Sequence, residues 1–243
     1  KLAQLVRTGK GLYDICTVYG LPLVSGKDSM KNDFRGKNNS GEDIVISVLP
    51  TLLVTAMAKA DIRHTLTSDF KHAGDDIYLL GTTQLSFLGS EYATWFETGL
   101  DLSIGLPAYS LELNRAMYTA FHLGCKEQLM TSAHDLSDGG LLVAMSEAMI
   151  GGQFGAHLEI PAPLWHEGME DNLNFLFGEG MAHILFTAKP DCASAIAKRF
   201  KQLPLLKVGK VTEAKELKVS ALGKVVANIK LDELAQSFKR GLL

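Results

Sequence analysis

Apolar residues fall at helical spacing over Leu2–Val6 and Leu12–Tyr19, with Gly9-Lys10-Gly11 between them. The pattern predicts two helices and a stop at Gly20-Leu21-Pro22. Leu23–Val24 reads as a short extended entry to "SGKDSM", and residues 35–43 as a polar turn or flap. Residues 44–60, "IVISVLPTLLVTAMAKA", have strand character on both sides of Pro50. That proline lacks the N–H a central strand needs and marks an edge, bulge or break. The polar, non-periodic stretch 61–76 predicts a linker, with a domain boundary near residue 72.

Beyond it, "IYLLGTT" reads as a buried strand, and residues 85–96 as a loop that runs into a helix start. Pro107 is expected to open a helix to about 123 that Gly124 ends. Residues 128–140 read as strand into loop. Residues 141–150 read as a helix with Leu141, Met145 and Ala148 on one face, closed by Gly151-Gly152. "AHLEIP" is a strand, 172–180 a helix running into a turn, "AHILFTA" a strand, and Asp191 to about Leu203 a helix. Three strands follow, "LLKVGKVTE", "ELKVSA" and "KVVANIK", the last two joined around Gly223, and a final helix begins near Leu231. Intermixed strands and helices with hairpins at the end imply an α+β fold rather than a doubly wound sheet.

Composition narrows the class. The chain has 243 residues, 47% hydrophobic and 21% charged, with a net charge of −3. That suits one large or two small globular domains. It gives no basic footprint for nucleic acid, and no apolar run has the length of a membrane span. The N-terminal apolar segment is too short for a secretory signal. Cys16, Cys125 and Cys192 are scattered, with no zinc-type spacing, which fits buried thiols in a reducing, cytoplasmic compartment. The opening at Lys1, inside a helical pattern and without methionine, predicts a piece of a larger protein.

Three stretches carry candidate chemistry. In "SGKDSM", Gly26 offers close backbone approach, Lys27 a cation for phosphate and Ser29 a donor to a phosphate or substrate oxygen. The spacing is not that of a Walker A loop, and a solvated turn capped by Asp28 accounts for the same residues. In "AHDLSDGG", Asp135 at a strand end suits a magnesium ligand. Ser137, Gly139 and Gly140 precede a helix N-terminus that favours phosphate. The alternative is an N-cap at Ser137 or Asp138 followed by a tight glycine turn. In "FGEG", Glu179 is a weaker candidate for a ligand amine or hydroxyl, and is otherwise an exposed glutamate. His134 and His183 read as rim or core residues, and Met145 and Met149 as core.

Taken in order, "GLPLVSGKDSMKNDF", "ISVLPTLLVTAMAKADIRHTL", "FLGSEYA", "AHDLSDGGLLVAMSEA", "LFGEG" and "VGKVTE" resemble the second half of phosphoribosylformylglycinamidine synthase, collinearly over nearly the whole chain. The resemblance implies an AIR-synthetase-like architecture. Residues 1–72 would be the tail of a barrel-forming N-terminal domain and 73–243 a C-terminal α/β sandwich domain. It implies a carbon–nitrogen ligase of purine synthesis that turns formylglycinamide ribonucleotide, glutamine and ATP into the amidine. ATP would phosphorylate the amide oxygen, and ammonia would displace the phosphate.

The site residues it implies are Gly26 near ATP and Ser29 near substrate. Lys27 stands where small-subunit forms have a metal-binding asparagine, so it is assigned to phosphate or structure. Asp135 becomes a magnesium ligand and Ser137 a nucleotide contact of an auxiliary ADP site, with Gly139 and Gly140 beside it. Glu179 matches only loosely. The implied cofactors are ATP or ADP and Mg2+. The implied partners are the first half of the synthetase, the glutaminase domain and a small-molecule nucleotide substrate, with no nucleic acid and no membrane. The fragment alone is expected to be inactive and to self-associate through an open barrel edge. Two alternatives stand beside this: another ATP-dependent enzyme of the AIR-synthetase superfamily, or a non-catalytic nucleotide-binding module.

Overall fold

The computed structural model describes residues 2–27, 29, 32–83, 85–96, 109–164 and 169–241. The chain divides into two compact units, Lys1–Lys59 and Ala60–Leu243.

The first unit opens with one helix, α1 (Leu2–Tyr19), which runs straight through Gly9 and Gly11. The expected break is therefore absent. Two glycines cost a helix about 1 kcal/mol each, and the Lys10–Asp14 ion pair at 2.9 Å spans the weak turn. A hairpin follows, β1 (Phe34–Lys37) and β2 (Asp43–Ile46). The Asn38 side-chain oxygen accepts from the Ser40 and Glu42 amides at 2.9 Å each and so shapes its loop. Residues 47–60 form no strand, contrary to the reading of apolar character around Pro50. The reason is pairing. Beyond Ile46 the partner strand β1 has ended, and apolar alternation alone does not supply a ladder.

The second unit is a seven-stranded mixed sheet. Its strands are β3 (Asp76–Leu80), β4 (Ser132–Asp135), β5 (Gly155–Ile160), β6 (Ile184–Ala188), β7 (Leu205–Thr212), β8 (Glu216–Ala221) and β9 (Lys224–Lys230). Their order is β4-β6-β3-β7-β5-β8-β9, antiparallel throughout except for the parallel pair β5–β8. That is the α+β mixture expected from the intermixed pattern. The helices are α2 (Glu91–Trp95), α3 (Leu111–Lys126), α4 (Gly140–Gly152), α5 (Met169–Phe177), α6 (Ala193–Arg199) and α7 (Leu231–Arg240).

Two cores flank the sheet. On one face Ile77, Leu79, Leu158 and Val219 pack with Leu141, Met145 and Met149 of α4, Phe175 of α5 and Leu231 of α7. On the other, Tyr78, Leu80 and Phe186 pack with Met117 of α3 and Ile196 of α6. β3 is buried at every residue, and after Asp76 it reads as a continuous apolar run because both its faces are covered.

Residues 61–76, read from their polarity as linker, pack into this unit. Phe70 is buried, its N–H donates to the Ala148 carbonyl at 3.1 Å, and the Ala133 N–H donates to the Thr67 carbonyl at 3.1 Å. Pro107 lies outside the described residues; α3 starts at Leu111, with Ser110 as its N-cap. Gly124 does not end α3, which continues to Lys126. The glycine instead makes room for Met130, whose Cε would lie 2.5 Å from an added Cβ. The three cysteines are free and half-buried, and burial pushes the Cys125 thiol up, away from a reactive thiolate.

Candidate functional site

The register brings the C-terminal ends of β3 and β4 to the same edge of the sheet as the N-terminal end of β6. The loops "FLGSE" (87–91), "HDLSDGG" (134–140) and "FGEG" (177–180) gather there.

The middle loop is pinned by Leu136. Its side chain is buried, and its N–H donates to the His183 carbonyl at 3.0 Å. With Leu136 turned inward, Asp135 and Ser137 on either side stay exposed. The Ser137 hydroxyl donates a short hydrogen bond to the Asp135 carboxylate. This bond, more than any other influence, holds the Asp135 carboxyl below the usual carboxylate range, against a smaller opposing effect of burial. Asp135 is thus an ionised, solvent-facing carboxylate whose side chain is 76% exposed. His134 lies between two acceptors, the Asp135 carbonyl at 2.7 Å and the Glu147 carboxylate at 3.0 Å.

The two glycines have separate reasons. Gly139 has φ +83° and is the residue before α4; its N–H donates to Glu179 Oε1 at 2.8 Å. Gly140 has φ +69°, and a Cβ there would lie 2.5 Å from the Gly178 carbonyl oxygen. The double glycine therefore brings the "HDLSDGG" loop hard against the backbone of "FGEG".

Glu179 holds the third loop as well. Its backbone pairs with Ser86 through two hydrogen bonds of 3.0 Å each, and its Oε1 also accepts from the Glu91 N–H at 2.9 Å. Glu91 opens α2, which Ser90 caps through its side chain to the Ala93 N–H. Tyr92 then stacks on Phe177, ring centroids 5.4 Å apart, next to the turn. The pattern alone cast Glu179 as a ligand-binder or an exposed residue; it is half-buried, with its Oε1 accepting from two amides of its own chain. Ser86 and Glu91 had no assigned role. The capping signal of Ser90 was legible, but a partner 88 positions away was not.

In the first unit Ser25, Gly26, Lys27 and Ser29 of "SGKDSM" are exposed. Lys27 donates to the Ser29 hydroxyl at 2.6 Å, and Gly26 has open space around its Cα. A cation and a hydroxyl are therefore presented together. Asp28 and Met30 lie outside the described residues.

No group of three metal-ligating side chains occurs among the described residues. In the "HDLSDGG" loop, Asp135 offers a hard cation an exposed, ionised carboxylate. That fits magnesium, which takes one or two carboxylates and completes its shell with phosphate oxygens and water. No helix among the described residues is long and apolar enough to cross a membrane.

This sheet, with helices packed on both faces and three loops gathered at one end, defines an α+β domain. The AIR synthase related protein, C-terminal domain family model matches residues 72–221, and the chain belongs to that family. Over nearly its whole length the chain is similar to phosphoribosylformylglycinamidine synthase subunit PurL. It is 32% identical to the subunit from Alkaliphilus metalliredigens over 96% of this chain and 29% of that protein. It is 30% identical to the subunit from Cutibacterium acnes over 98% of this chain and 29% of that one. The chain thus spans about 30% of the length of the curated relatives it matches. In fold it is similar to T. maritima PurL complexed with FGAR, with a TM-score of 0.64 at 19% identity over 91% of this chain and 36% of that one. T. maritima PurL complexed with ATP gives a TM-score of 0.62 at 20% identity over 93% and 34%.

Proposed function

We propose that the chain forms part of a phosphoribosylformylglycinamidine synthase, a cytoplasmic carbon–nitrogen ligase that uses glutamine-derived ammonia, and that its loop cluster holds nucleotide. The observation that carries this reading is the collinear similarity to subunits of that name over 96% and 98% of the chain. The loop geometry supports it. Asp135 is ionised and outward-facing, and Ser137 orients it.

In the reaction, an amide oxygen is a poor leaving group, so ATP phosphorylates it and ammonia displaces the phosphate. Stabilising charge on the transferring phosphoryl group is the main demand on the protein. Lys27 supplies a point charge for phosphate and Ser29 a hydroxyl for substrate, while Gly26 permits close approach of ATP. Asp135 would supply one ligand to a magnesium ion bound with nucleotide at the auxiliary site, where the ion would neutralise phosphate charge. The Gly139 N–H is already engaged by Glu179 and the Ser137 O–H by Asp135, so Ser137 can donate to a phosphate only by turning away from Asp135.

The partners follow from the same reading: a preceding AIR-synthetase-like half and a glutaminase. Self-association of the chain by itself through its first unit is part of the proposal. Leu53 and Met57, 89% and 94% exposed, support it as apolar surface awaiting cover. The division into a barrel-tail domain and a sandwich domain near residue 72 belongs to this proposal too.

Titrating Mg-ADP onto the chain tests the reading. Asp135→Asn keeps the shape of the side chain and loses the charge, and is expected to weaken binding about tenfold or more. Unchanged affinity would remove Asp135 from the site.

A further inference from the structure

We infer that Glu179 is the positioning residue of the nucleotide loop: it acts on Asp135 and Ser137 through the Gly139 amide and does not itself touch ligand. This rests on the nucleotide-binding reading above and adds to it the element that sets the loop's shape.

Three observations separate positioning from ligand binding. First, Oε1 already accepts two backbone N–H groups, Gly139 at 2.8 Å and Glu91 at 2.9 Å. Second, the Glu179 backbone cannot swing outward without breaking both hydrogen bonds to Ser86. Third, Gly140 is pressed against the Gly178 carbonyl so closely that no side chain fits between them. The "FGEG" turn is therefore a fixed wall and not a gate.

The physical need is clear from the loop itself. Gly139 has a left-handed backbone and no side chain to cap α4. The amide at that point would otherwise be free to reorient, and Asp135 and Ser137, four and two residues upstream, would follow it. An anionic oxygen is the natural partner for amides at a helix start, and Glu179 supplies one from 40 positions away. One carboxylate thereby ties the starts of α2 and α4 to the entry of β6. The His183 ring wedges the same turn: its Nε2–H donates to the Thr82 carbonyl at 2.6 Å, and its Cε1 would lie 2.8 Å from a Cβ at Gly180.

The test combines Mg-ADP titration of the whole chain with amide hydrogen exchange at Gly139 and Glu91. Glu179→Gln retains an oxygen that accepts both amides; Glu179→Ala removes it. The expected result is a loss of Mg-ADP affinity of about threefold for Gln and roughly tenfold or more for Ala. Exchange at Gly139 and Glu91 should be about tenfold faster in the Ala variant only. Equal loss in both variants, with exchange at the two amides unaltered in Gln, would make Glu179 a direct ligand and overturn the inference. Faster exchange in Ala with unaltered affinity would also overturn it, by separating the clamp from the site. If the unsubstituted chain bound no Mg-ADP, the nucleotide reading itself would fall, while the exchange data would still decide whether the clamp exists. Should the Ala variant not fold, the Gln variant decides: a tenfold loss of affinity with protected amides counts against positioning.

Discussion

The two units use apolar sequence in opposite ways. Among the described residues of 2–59 none is buried, although Val24, Leu53 and Met57 are 89%, 89% and 94% exposed. In the second unit Leu79, Leu141, Met145 and Leu158 are sealed completely. The contrast teaches that periodicity identifies an element, but a core needs two surfaces. α1 shows helical spacing and the segment around Pro50 shows apolar character, yet neither contributes a buried side chain among the described residues. The sheet of the second unit is covered by its own helices, and its own contacts fix the loops gathered at its end.

The sharpest way to break this contrast is a matched pair of truncations. Leu158→Ala removes a fully buried side chain and is expected to cost about 2–5 kcal/mol. Leu53→Ala removes one that is 89% exposed and should fall within about 0.5 kcal/mol. Urea unfolding of each variant measures both. If the Leu53 variant loses as much as the Leu158 variant, the first unit has a core of its own or one completed by a second copy.

Gly140→Ala comes next. It places a Cβ 2.5 Å from the Gly178 carbonyl oxygen and forces alanine into φ +69°. The expected loss is about 2–3 kcal/mol, from left-handed strain and a backbone clash together. Thermal unfolding would show it. A loss no larger than that of a surface substitution would mean that the two loops are not in contact, and would undo the clamp geometry as well.

These two sites also mark what was legible in the sequence and what was not. The alternation of "AHLEIP", the hairpin "ELKVSA"–"KVVANIK" around Gly223 and the all-round apolar α4 have local causes, and local pattern is enough to find them. Gly124 could not be read, because its reason is Met130 packing across the turn and not the end of a helix. Gly9 and Gly11 suggested a break that does not occur, since α1 runs through both. In the site, the outward Asp135 and the glycine turn were visible as a motif. The Glu179 contacts were not, since its partners lie 40 and 88 positions away and only the β3–β6–β4 register brings them near.

The smallest effect sharpens the site itself. Asp135 owes its lowered pKa first to the Ser137 hydroxyl. Ser137→Ala should therefore move the Asp135 carboxyl up toward its ordinary value of 3.8, readable by NMR titration of the carboxyl carbon. A carboxylate whose pKa is lower in the folded chain favours folding above its ordinary pKa. That contribution disappears as pH falls through the lowered value. In the Ser137 variant the window narrows from its acid side, and at neutral pH the carboxylate stays ionised. Asp135 faces solvent, so the effect belongs in the titration curve and not in the unfolding midpoint. Asp61 is an internal control. Its carboxyl is lowered to about 2 chiefly by hydrogen bonds from Arg63, far from Ser137 in sequence, and should not move. A Ser137 variant that leaves Asp135 where it was would mean that the hydroxyl does not orient this carboxylate. Any loss of Mg-ADP affinity in that variant would then have to be assigned to a direct contact between Ser137 and the nucleotide.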